Sequence, residues 1–117
     1  MTDLTARLQA AALSLAGPGP IKERLTDAYA HLEDLEAADL PAFGDEFADM
    51  IKALHREQPM PGDSVVRASV RKLSSQDVRQ YAELLVRLYG MAASIKHQRS
   101  APRAVAPAAK FLVASGN

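Results

Sequence analysis

The stretch SSQDVRQYAELLVRLYGMAASI, residues 74–95, decides how the rest of the chain reads. Val78, Ala82, Leu85, Tyr89 and Ala92 recur at spacings of four, three, four and three. Tyr81, Leu88 and Ile95 widen the same stripe. That is the period of an α-helix burying one face. Gln76, Glu83, Arg87 and Ser94 fall on the opposite side. Glu83 precedes Arg87 by four residues, the favourable order for a helical ion pair. Ser74 or Ser75 can cap the start, and Asp77 suits the positive end of the helix dipole. Gly90 costs about 1 kcal/mol against alanine. It is either tolerated on the polar side or a place where another backbone comes close. Tyr81 and Tyr89 read as core-lining aromatics.

Composition extends this helical reading to the whole chain. Its 117 residues suffice for one domain with a core. Alanine is the commonest residue and leucine the next. With three Phe, three Tyr and no Trp, this bias favours helix over sheet. The absence of cysteine excludes disulfides, thiolate catalysis and cysteine-held metals. No basic, apolar secretory leader is legible at the N-terminus, and no apolar run approaches the ~18 residues of a membrane span. A cytoplasmic location is the expectation.

Charge is neutral in sum and sorted along the chain. Residues 1–63 carry a net of −7 and residues 64–117 a net of +7. No acidic residue follows Glu83. Either the halves pack acid against base, or each offers its field to a partner.

Four further helices are expected before residue 74. The first covers about Asp3 to Ala16, with Leu4, Leu8, Ala11, Ala12 and Leu15 on one face. Gly17-Pro18-Gly19-Pro20 stops it, since proline cannot donate to a continuing helix. The second runs from Pro20 to Ala38 along a seam of Ile21, Leu25, Ala28, Leu32 and Leu35. The third runs from Pro41 to Glu57, burying Phe43, Phe47, Met50, Ile51 and Leu54. After the loop at Gln58–Gly62, residues 64–73 fit a strand by alternation and a helix by Val66, Val70 and Leu73. A lone strand lacks a partner, so helix is the reading chosen, capped by Asp63 or Ser64. The expected core is Leu25, Leu32, Leu35, Phe43, Phe47, Met50, Leu54, Val66, Val70, Val78, Leu85, Leu88 and Tyr89.

The fold class is therefore all-α: a small up-and-down bundle of four or five helices over residues 1–95. Residues 96–117 form a basic, Ala/Pro-rich tail, expected to be mobile. Within it Lys110-Phe111-Leu112-Val113 is a small apolar cluster able to dock.

Chemistry is sparse. The residues three before His31, His55 and His97 are Ala28, Lys52 and Ser94, so the Glu-x-x-His of di-iron bundles is missing. Asp27, His31 and Asp34 lie one turn apart, which reads as a surface histidine among carboxylates and not as half a metal site. There is no Gly-x-Ser-x-Gly elbow, and the paired carboxylates fall on predicted exposed faces. No catalytic residue, metal or cofactor is expected. Arg67, Arg71, Lys72 and Arg79 cluster around the junction of the last two helices as candidate contacts for phosphate or an acidic partner. The expected function is a non-enzymatic helical protein–protein interaction module, with a homodimer among its expected states. The alternative is a nucleic-acid-associated regulator using the basic 67–79 region and the tail.

Overall fold

The computed structural model describes residues 3–100, the last five as backbone alone. Five α-helices follow in order: α1 (Leu4–Ala16), α2 (Ile21–Ala30), α3 (Gly44–Leu54), α4 (Val65–Lys72) and α5 (Ser75–Ser100). No strand occurs among the described residues, and the ambiguous stretch 64–73 is helix α4 with Ser64 and Leu73 as its caps. The chain is an all-α bundle. At about 1.5 Å per residue, α5 extends about 39 Å. It packs against α1, α2 and α3, while α4 bridges α2 and α3.

Three of the helices begin where a side chain satisfies an orphan amide. Asp3 accepts from Ala6 N at 3.3 Å, at the start of α1. Ser64 Oγ accepts from Arg67 N at 3.0 Å before α4, and Ser74 Oγ from Asp77 N at 3.0 Å before α5. The turn between α1 and α2 is held by Arg24, which donates to Leu15 O at 2.6 Å and Gly19 O at 2.8 Å. The guanidinium thereby caps a terminal carbonyl of α1. Gly19 adopts φ +102°, a conformation that favours glycine.

Two helices are shorter than their apolar patterns suggest. The second stops at Ala30, well before the expected Ala38. Beyond it, His31, Leu32 and Leu35 bond three residues back, to Ala28, Tyr29 and Leu32. Tyr29, Leu32 and Leu35 are all buried, and their spacing of three suits this tighter winding. Arg7 of α1 donates to His31 O at 3.0 Å, taking a carbonyl that a longer helix would use itself. A 3-10 turn, Ala37–Asp39, follows. The third helix begins at Gly44 and not at Pro41. Its cap is Phe43, in the left-handed region at φ 61°. A Cβ on Gly44 would lie 3.3 Å from Ala37 O, so the backbone of the 3-10 turn rests on this start. Conversely, α5 continues to Ser100, past the expected boundary at Ile95. Residues 101–117, including Lys110–Val113, lie outside the described residues, as does the mobility expected of them.

The core joins all five helices. Leu25, Leu32, Leu35, Phe47, Met50, Leu54, Val70, Val78, Leu85 and Leu88 are buried as expected. Phe43, Val66 and Tyr89 pack against that cluster half-buried. Leu8, Ala11 and Leu15 of α1 complete it, together with Tyr29 of α2 and Leu84 of α5. Each large side chain so covered contributes about 1.5–3 kcal/mol. Ser69 is the buried polar residue, and its hydroxyl accepts from Glu57 N at 3.0 Å, tying the loop after α3 to α4.

Candidate functional site

Three places bring functional side chains together. The first is a cleft of about 480 Å³ between α2 and α4. Lys22, Glu23 and Asp27 line one side, Arg67 and Arg71 the other. The chain thus sets two of its four clustered cations opposite acidic groups of α2. Both arginines also engage Asp63, just before the cap of α4. Arg71 bonds one carboxylate oxygen, and Arg67 Nε lies 4.0 Å from the other. Asp63 is well covered, with its side chain 12 % exposed, so two guanidinium groups are tethered by one sheltered carboxylate. Lys22 Nζ donates to Arg71 O at 2.9 Å and caps the end of α4. Lys72 and Arg79 are exposed and line no part of this cleft.

The second place surrounds the loop after α2. Arg7, already bonded to His31 O, also pairs with Asp34. The hydrogen bond from Arg7 holds the Asp34 carboxyl below its ordinary range, aided by Asp34's own backbone amide and the nearby positive charge. Asp34 is thus committed to a guanidinium. No group of three or more His, Asp or Glu placed to share a metal occurs among the described residues. His55 lies edge-on to Tyr29, with ring centroids 5.9 Å apart and an interplanar angle of 74°. Its Nδ1 is 2.8 Å from Ile51 O, a group that only accepts, so that nitrogen carries the proton. Burial of the Tyr29 ring, reinforced by Glu33, pushes its phenol above the usual range. Burial does the same to Tyr81, with Asp77 and Asp49 adding to it and Arg56 opposing it.

The third place is apolar. Leu15 at the end of α1, Ile21 at the start of α2, and Ala82 and Val86 of α5 form a groove of about 390 Å³. Ile21 is 39 % exposed and Val86 52 %. Glu83 and Arg87 border it. The ion pair that their spacing suggests is not formed, and both remain exposed without an ion-pair partner among the described residues.

No family model, curated protein or solved structure matches the chain.

The arginines were legible in the sequence, as was an answering charge on the acidic face of α2, here Glu23 and Asp27; Asp63, their direct partner, read only as a cap. The sequence pattern placed Ile21 in the buried seam, and the structure corrects this. α2 starts at Ile21, where the chain is still emerging from the glycine–proline turn, and this first residue is left partly open to water. The groove sets the two sides of the α1–α2 turn against α5, far downstream, so no local spacing announces it. The one available signal was Val86, an apolar residue beside the polar stripe of α5.

Proposed function

We propose that the chain is a non-enzymatic helical interaction module that associates with a second copy of itself. The observation that carries this reading is the groove of Leu15, Ile21, Ala82 and Val86, a contiguous apolar surface in which Ile21 and Val86 are open to water. Covering such side chains is favourable by about 25 cal/mol per Å² of apolar area removed from water. Apolar surface bordered by charge is also the usual composition of a protein contact. The basic cluster supports a nucleic-acid role less well. Two of its four members are tethered to Asp63, and the cleft they face also holds Glu23 and Asp27.

Sedimentation velocity across low to high micromolar concentration tests the proposal. The weight-average mass should rise from 12.6 kDa towards twice that value. A constant 12.6 kDa at high micromolar concentration overturns it.

A further inference from the structure

The rim of the groove carries its own two-fold complement. Glu83 and Arg87 sit one turn apart on α5, opposite in charge, exposed and not ion-paired with each other. A surface with one acid and one base at that separation matches itself when a second copy is related to it by a two-fold axis. Gly90 lies one turn beyond Val86 on the same exposed side of α5. A Cβ at Gly90 would meet nothing within 4 Å, so no contact within the described chain requires glycine there. A mid-helix glycine costs about 1 kcal/mol, and the close approach of a second backbone gives it a use.

We infer that two copies pair through antiparallel α5 helices about a two-fold axis near Val86, each placing its Val86 into the other's groove. This rests on the self-association reading and specifies its surface. Glu83 of each copy then faces the partner's Arg87, so two ion pairs flank the apolar contact, and Gly90 lets the two helices close. Like charges set against each other at this rim weaken the contact, while a reciprocal swap restores it.

The experiment is a charge-swap cycle on the full chain, read by sedimentation. Glu83→Arg and Arg87→Glu should each weaken association at least about tenfold. The doubly swapped variant should recover to within about threefold of the parent. Val86→Glu, at a position already 52 % exposed, should abolish association and leave the helical circular dichroism intact. Single-swap and Val86→Glu variants that associate as strongly as the parent overturn this interface and leave self-association standing. A parent that stays monomeric overturns both.

Discussion

Leu85→Asp should leave the chain without a cooperative fold. Leu85 is fully buried, in the middle of the helix that touches α1, α2 and α3. Removing its side chain costs about 2–5 kcal/mol through lost burial and the cavity left behind. The aspartate adds several kcal/mol more, because no described cation stands ready to pair with a charge there. Domains of this size have about 5–15 kcal/mol of stability in total, so the two effects consume most or all of it. Far-ultraviolet circular dichroism should show lost helix and no melting transition. Ser94→Asp, on the exposed side of the same helix, is the control and should melt with the parent. A parent-like melt for Leu85→Asp would mean that the core lies elsewhere.

Tyr29→Ala should be the next most damaging change, at about 3–5 kcal/mol. The ring is 1 % exposed, sits edge-on to His55, and lies at the end of α2 where the chain tightens. Tyr29→Phe separates ring from hydroxyl. Phenylalanine keeps nearly the whole ring volume, and volume-conserving swaps cost less than about 1.5 kcal/mol. Chemical denaturation of both variants reads the difference. The raised phenol pKa also fixes the sign of an alkaline effect. Above pH 10.0, its ordinary value, the unfolded tyrosine loses its proton while the folded one keeps it. The folded state then binds more protons, and stability falls as pH rises. Tyr81, shifted the same way, adds to that loss. Tyr29→Phe should therefore show a shallower decline above pH 10.0 than the parent. An equal decline would mean that Tyr29 is not the group responsible.

How much of this was legible depends on the length scale of the information. The stripe of Val78, Leu85, Leu88 and Ala92 is a local period, and it became the buried face of α5. Phe47, Met50 and Leu54 were equally plain. Tyr29 was not, because the seam through Ala28 explained the neighbouring positions without it. Helix two was overrun because Leu32 and Leu35 remain buried after the helix has ended. Apolar spacing reports what is buried, and here a spacing of three also fits tight turns. The carbonyl of His31 is taken by Arg7, far upstream, and no short window on the sequence contains that contact. The candidate site divides similarly. Arg67 and Arg71 were visible as a cluster, whereas the groove required the turn after α1 to be laid against α5.

The two arginines of the first hairpin have a mechanical consequence. Arg24 fastens α1 to α2 at the turn, and Arg7 fastens the open end through His31 and Asp34. A hairpin buckled at one end frays from the other; one buckled at both has no free end from which to peel. Its opening is then a single event in which both clasps release together, the behaviour of a cooperative unit of local unfolding. Ile21, sitting beside the inner clasp, is presented by a fastened turn and not by a drifting loop. A surface held that way gives up little freedom on meeting a partner, which is where pre-organised contacts gain their affinity.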